Sequence, residues 1–247
     1  RHTLQVADSL WIDASFKAEY RRLIADAKLL SKSSRYSCVG FILLQQVVEA
    51  LSGEALDRYV ARHFYEPMGL THTGYLPLRW AEKEQIVPSN EDKFLRKQVL
   101  QGFVHDESAA FQGGVSGNAG LFSTAAEVAQ VYQMLLDGGL YKGKRYLSPS
   151  TCRLFTTTTS KISRRGLGFD KPNRQNPTQG PCAEGVSPAT YGHTGFTGTC
   201  AWVDPERQMV YVFLSNRTYP QAWNPLLSRL KIRSRIQQQL YSPVAEE

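Results

Sequence analysis

The sequence of 247 residues has no apolar run of the ~18 residues that a bilayer-spanning helix requires. Its longest greasy stretch, Val39 to Leu51, is interrupted by Gly40, Gln45, Gln46 and Glu49. Neither a transmembrane anchor nor a signal peptide is therefore expected within it. Cysteine is scarce: Cys38, Cys152, Cys182 and Cys200 are scattered, and none forms a C-x-x-C pair. That spacing argues against a zinc ribbon or a dithiol redox motif, and it singles out no disulfide pair. The five histidines are dispersed without an H-E-x-x-H, so neither a metal nor a cofactor is expected. Internal repeats and low-complexity tracts are absent. The net charge of +7 could attract anionic polymers, but basic and aromatic residues do not interleave and no nucleic-acid motif occurs. A solvated basic face, with no nucleic-acid partner, is the expectation. The first residues are Arg1-His2, which suggests a piece or a processed product of a longer chain.

Hydrophobic residues make up 42% and charged residues 21%, a composition suited to one large domain or one domain with two lobes. Residues 13 to 30 carry Phe16, Tyr20, Leu23, Ile24 and Ala27 at helical spacing. A second, buried-looking helix is expected from Val39 to Leu51, closed by Ser52-Gly53. A third is expected over 54–64, ended by Pro67. Residues 75–118 show little periodicity and are expected to be irregular. Thr124-Ala-Ala-Glu127 has the pattern of a capping box, and the helix it opens ends at Gly138-Gly139. Ser148-Pro149 opens another helix. Beyond residue 160 the pattern turns to strands. Leu167-Gly168-Phe169 predicts a short one. Thr197–Val203 and Met209–Leu214 predict a hairpin about Asp204-Pro205-Glu206-Arg207. A helix is expected over 223–241. The division expected is a mostly helical lobe at 13–160 and a sheet hairpin with a terminal helix at 161–247, an α+β architecture within a single domain over 1–247.

Three segments carry chemistry-bearing residues: Arg35-Tyr36-Ser37-Cys38-Val39-Gly40; the glycine-rich stretch from Gly113 to Ser123; and Gly192-His193-Thr194-Gly195-Phe196-Thr197-Gly198. Each has an ordinary explanation. A tyrosine before a helix commonly packs, glycine clusters commonly turn, and a lone histidine is commonly structural. Their order is more informative. Together they resemble the serine β-lactamase, penicillin-binding protein and related esterase superfamily. In that superfamily a Ser-x-x-Lys opens a helix, a Tyr-x-Asn follows, and a Lys-Thr-Gly or His-Thr-Gly lies on an edge strand. Tyr36-Ser37-Cys38 is similar to the second element and His193-Thr194-Gly195 to the third. The glycines with Leu121-Phe122-Ser123-Thr124, and the run from Tyr65 to Thr73, resemble two further phrases of the family. A narrower resemblance is to serine-hydrolase domains fused behind glycoside hydrolase family 3 β-N-acetylglucosaminidases of Bacteroidetes. It is carried by Gly40-Phe41-Ile42-Leu43-Leu44-Gln45-Gln46, by Arg164-Arg165-Gly166-Leu167-Gly168-Phe169-Asp170, and by Gly192 through Cys200.

The resemblance implies a β-lactamase/transpeptidase-like fold acting through an acyl-serine intermediate. Its N-terminal strands and nucleophile helix are expected to lie outside this chain. Tyr36 would be the proton shuttle and His193 would face a substrate carboxylate or Tyr36. Thr194 would share that carboxylate, Gly195 would admit substrate backbone, and the Phe196 N–H would be one arm of an oxyanion hole. Cys38 occupies a substrate-contact position where the family has Asn or Asp, and a thiol cannot replace an amide there. Asn118 stands where close relatives have His. A Ser-x-x-Lys is not expected at any serine of this chain, so no nucleophile is expected in it, and the isolated chain is expected to be inactive. Cys38 as a substitute nucleophile is disfavoured. The implied substrate is a peptidoglycan-derived peptide or a small ester or amide. The implied setting is an exported bacterial protein with an upstream glycosidase domain. The competing expectations are a non-catalytic peptidoglycan-binding or structural module, and an unrelated α+β protein that matches by chance.

Overall fold

The computed structural model describes residues 3–28 and 35–241. Contacts group the chain into two compact units, Arg1–Thr124 with Thr218–Ala222, and Ala125–Arg217 with Trp223–Glu247. The architecture is α+β. Among the described residues no single helix is long and apolar enough to cross a membrane.

The first unit opens with a hairpin of β1 (Thr3–Ala7) and β2 (Leu10–Asp13). Val6 buries into a small core with Val104, Ala109 and Ala110. α1 (Ser15–Ala25) carries the expected apolar stripe, and Phe16 and Tyr20 lay their rings near Phe111. It stops earlier than expected, because the Ala27 N–H reverts to the carbonyl three residues back, on Ile24. Residues 29 and 30 of that expected helix lie outside the described residues.

α2 (Cys38–Ser52) matches its expected limits to within one residue at each end. Both ends are local chemistry. The Ser37 Oγ accepts from the Val39 N–H at 3.2 Å, and Gly53 takes the left-handed conformation at φ 71°. The expectation that α2 is buried holds for one stripe only. Ile42 and Gln45 are buried, whereas Leu43, Leu44, Val47 and Leu51 are exposed, Leu51 by 85%.

α3 (Leu56–Val60) does not end at Pro67. It passes through a π-turn at Ala61–Tyr65 into a short α4 (Glu66–Met68). A proline at the second position of a new turn lacks only an N–H that has no partner there, so the chain can carry it. The stretch expected to be irregular holds short ordered pieces. These are β3 (Gly74–Tyr75), β4 (Pro88–Asp92), β5 (Gln98–Gln101), α5 (Glu107–Phe111) and β6 (Leu121–Phe122). β4 pairs with β5, and β3 pairs with β6. β4 reads Pro-Ser-Asn-Glu-Asp, which has no strand periodicity. Its hairpin is closed by a buried ion pair, Asp92 with Arg96 at 2.7 Å, and Arg96 also donates to the carbonyls of Val104 and His105.

The second unit begins with α6 (Ala125–Leu136), which ends before Gly138 and Gly139 as expected; both have positive φ. A tight hairpin of β7 (Leu140–Tyr141) and β8 (Lys144–Arg145) leads to α7 (Pro149–Thr156), capped by Ser148. The strand expected at Leu167-Gly168-Phe169 is a bend, because Gly168 turns the chain at φ 88°. Only Asp170 reaches a sheet, through one bridge to Gly192.

The sheet has three antiparallel strands, β9 (Tyr191–Thr194), β10 (Cys200–Asp204) and β11 (Met209–Phe213), in the order β11-β10-β9. β10 starts later than expected because residues 195–199 form a turn, with the Gly195 N–H donating to the Thr199 carbonyl at 2.8 Å. Gly192 is required by close approach, since a Cβ there would sit 2.1 Å from the Ala201 carbonyl oxygen. Cys182, Cys200, Trp202 and Tyr211 form the core beside this sheet. The terminal helix is not continuous. α8 (Leu226–Arg229) and α9 (Ile232–Gln239) are separated at Lys231, which takes φ 51°. α9 is tied down by Gln237, whose side chain accepts from the Ala183 N–H.

Candidate functional site

The structure places Tyr36 and Cys38 in the first unit, and His193, Thr194, Gly195 and Phe196 in the second. In the first unit the Ser37 cap sets the residues on either side of it. Tyr36 precedes the helix, 54% exposed, with its ring 6.2 Å from that of Phe41. Cys38 is the first helical residue, and its thiol is exposed.

α2 also holds the glycine-rich loop. Gln45 is only 2% exposed. Its amide donates to the Val115 carbonyl at 3.2 Å and to Glu49 at 3.0 Å, and it accepts from the Gly117 N–H at 3.0 Å. Gly117 must be glycine because a Cβ would lie 2.1 Å from the Phe41 carbonyl oxygen. Burial pushes the Glu49 carboxyl up, but hydrogen bonds from Arg21, Gln45 and the Leu56 amide, with the Arg21 charge, hold it below its usual value. Asn118 is built into a polar chain. Gln112 donates to the Ser116 hydroxyl, which donates to the Asn118 carbonyl oxygen, while the Asn118 amide donates to Asp106.

A cleft of about 770 Å³ in this unit is lined by residues that include Asp57, Arg58, Tyr65, Tyr75, Arg79 and Trp80. Burial pushes the Tyr65 phenol up to about 12. Neither Tyr36 nor Cys38 lines this cleft.

In the second unit His193 and Thr194 end β9, with Ala201 and Cys200 opposite them on β10. Both ring nitrogens of His193 are engaged. Nδ1 lies 2.7 Å from the Thr194 carbonyl, which can only accept, and Nε2 lies 2.9 Å from an Arg165 nitrogen, which can only donate. Arg165 in turn pairs with the buried Asp170 at 2.8 Å. Gly195 opens the following turn, where a Cβ would meet the Thr199 hydroxyl. Phe196 is exposed under the Arg217 guanidinium, 4.6 Å from its ring centre. Arg233 on α9 donates to the carbonyls of Gly195 and Thr199, bracing the turn.

Ser37, Gln45, Arg165 and Asp170 were not assigned roles from sequence. Gln45 was visible as a polar break in an apolar helix, and Arg165 and Asp170 as parts of a phrase, but their partners are distant in the chain. Against the expectation of none, one Ser-x-x-Lys spacing occurs, at Ser228-Arg229-Leu230-Lys231. It follows the tyrosine and the His-Thr-Gly instead of preceding them. Ser228 is exposed, α8 ends between the two residues, and the Lys231 ammonium donates to the Thr178 carbonyl at 2.6 Å. That lysine is therefore not placed as a base for that serine. Among the described residues no group of three or more His, Cys, Asp or Glu side chains could hold a metal ion.

A model of the family described as "Beta-lactamase" matches residues 1–230. A protein of Escherichia coli K12 described as "Putative D-alanyl-D-alanine carboxypeptidase" is 39% identical over 204 residues, covering 77% of this chain and 46% of its own length. The chain thus spans about half the length of the curated relatives it matches. Two solved structures share the fold. One is the octameric penicillin-binding protein homologue from Pyrococcus abyssi (TM-score 0.60, 17% identity, 92% of this chain and 50% of that one). The other is a penicillin-binding protein homologue from Caulobacter crescentus (TM-score 0.55, 18% identity, 83% of this chain and 60% of that one).

Proposed function

The chain belongs to the β-lactamase family, and from that premise we propose that it is the greater part of a DD-peptidase-like serine-hydrolase domain whose parent works through an acyl-serine intermediate. One observation supports this most: Tyr36-Ser37-Cys38 stands at the start of a helix and His193-Thr194-Gly195 at the end of the sheet's outer strand, as the resemblance leads one to expect.

In the proposed mechanism the serine and its lysine come from a segment of the parent outside these 247 residues. Tyr36 passes the serine's proton to the leaving group. Thr194 hydrogen-bonds the substrate carboxylate, Gly195 lets substrate backbone approach, and the Phe196 N–H supports the oxyanion, an interaction worth about 3 kcal/mol in the transition state. His193 belongs to the same wall. The substrate class proposed is a peptide ending in D-alanine, or a small ester or amide. We extend the proposal to a parent exported by a bacterium, with a β-N-acetylglucosaminidase domain upstream.

The test is covalent labelling of the full-length parent with a fluorophosphonate and with a penicillin. One adduct per chain is expected, on a serine outside these residues. The 247-residue chain alone should take none, and an adduct on one of its serines would overturn the assignment. Cys38 in the amide position and Asn118 tied into its own network favour a second reading, a peptidoglycan-binding module without catalysis. A parent that binds muropeptides but takes no label would establish it.

A further inference from the structure

The cleft of about 770 Å³ in the first unit takes no part in the chemistry above, since neither Tyr36 nor Cys38 lines it. Trp80 supplies an aromatic wall. Its indole N–H donates to the Tyr75 carbonyl at 3.0 Å, and its ring lies against Gly74, where a Cβ would sit 3.1 Å from Nε1. The ring is thus pinned at one edge and still 37% exposed. It follows a single 3-10 turn, Pro77–Arg79, that starts from Leu76 at φ 52°. A bulky side chain takes that left-handed angle only at a cost in strain, and such strain gathers where a fold must aim particular groups. Here the groups that follow are Arg79 and Trp80, both lining the cleft.

The polar lining is balanced. Three arginines and three carboxylates border the cleft, so its formal charge is zero. Arg62 and Glu54 close on each other at 2.8 Å. Asp57, Arg58, Glu66 and Arg79 make no ion pair or side-chain hydrogen bond among the described residues. The Tyr65 hydroxyl makes none either, and burial pushes that phenol up to about 12, so it keeps its proton and can donate. Unspent donors and unspent acceptors therefore stand together. An anion would meet two free carboxylates there, and a cation two free guanidinium groups. A hydroxyl-rich neutral ligand uses both sets, because each hydroxyl donates and accepts. The apolar C–H side of a sugar ring also suits an exposed indole. We propose that this cleft binds a neutral saccharide chain, with one ring stacked on Trp80 and its hydroxyls shared among Asp57, Arg58, Tyr65, Glu66 and Arg79. The volume suits a ligand of several rings better than a single one.

The saccharide site stands whether or not the acyl-serine reading does. Chitotetraose and maltotetraose are titrated by calorimetry into the 247-residue chain and into the full-length parent. At least one of them is expected to bind both proteins with a Kd of about 1 mM or tighter. The same sugar should shift the Trp80 indole signal in a ¹H–¹⁵N spectrum of the 247-residue chain. Because the ligand is neutral, Kd should change by less than about twofold between about 50 mM and about 500 mM salt. Trp80→Ala should weaken binding by about tenfold or more, and Trp80→Phe, which keeps a ring, should recover part of the loss. Arg79→Gln alters an exposed side chain and should weaken binding by about threefold or more, so it decides the matter even where Trp80→Ala does not fold. No binding of either sugar at about 10 mM to the chain or to the parent overturns the site. So does an unmoved Trp80 signal, or an affinity unchanged in R79Q. A heparin tetrasaccharide that binds more tightly than both neutral sugars, and is released by salt, overturns the neutral ligand.

Discussion

Replacing Gln45 with methionine should uncouple α2 from the glycine-rich loop without emptying the space between them. Methionine keeps the length and most of the volume of glutamine but cannot hydrogen-bond as an amide. Three bonds disappear, to Glu49, to the Val115 carbonyl and from the Gly117 N–H. Glu49 keeps Arg21 and the Leu56 N–H, so its loss is small. The two backbone groups lose the partner that Gln45 supplied. A buried polar group left unsatisfied costs about 1–3 kcal/mol, so Gln45→Met should destabilise by about 2–4 kcal/mol in all. For a chain of this size each kcal/mol lowers Tm by about 2–4 °C, which predicts a fall of about 4–16 °C. Thermal melts by circular dichroism measure the first quantity. Amide hydrogen exchange at Gly117 measures the local one, and protection there should fall more than in β10. A Gln45→Met chain within ~0.5 kcal/mol of the original, with Gly117 still protected, would refute the clamp.

Three further outcomes are expected. Ser37→Ala removes the cap of α2 and should cost ~1 kcal/mol, read as a Tm lower by about 2–4 °C and faster exchange at the Val39 amide. Stability should fall in acid. At Asp92 and Asp204 burial pushes the carboxyls up, yet hydrogen bonds from Arg96 and nearby amides in one, and from Ser187, Tyr241 and the Arg207 amide in the other, hold both below their usual values. The unfolded chain then binds more protons, so this stabilisation is complete above the ordinary carboxylate value of ~3.9 and is lost as pH falls below it. A Tm constant from pH 5 to pH 3 would contradict that, and Arg96→Met, which strands the buried Asp92, should cost about 3–5 kcal/mol at neutral pH. A disulfide-exchange thiol reagent should find one fast thiol per chain, abolished by Cys38→Ser, because burial pushes Cys152 up, Cys182 up to about 12 and Cys200 up to about 11 while Cys38 is exposed.

Residues that act on their near neighbours were legible from the sequence. The stop of α2 is set by Gly53 and the start of α7 by Ser148 on Thr151, both within one helical turn. The run from Met209 to Phe213 declared a strand by composition alone. The Tyr-x-x and His-Thr-Gly phrases could be found because each is contiguous. Errors arose where a local pattern met a distant partner or an unusual backbone angle. Gly168 bent a presumed strand, and Lys231 split a presumed helix at positive φ. β4 and β5 pair despite a polar sequence because Arg96, buried with Asp92, also reaches the carbonyls of Val104 and His105.

Only the tertiary structure decided what holds the candidate residues. Gln45 meets Gly117 across 72 positions of chain, and Arg165 meets His193 across 28. Hydrogen bonds within one turn are written in residue order, because the backbone geometry fixes their reach. Bonds that close a long loop depend on how the intervening chain packs, and no short stretch of sequence carries that information.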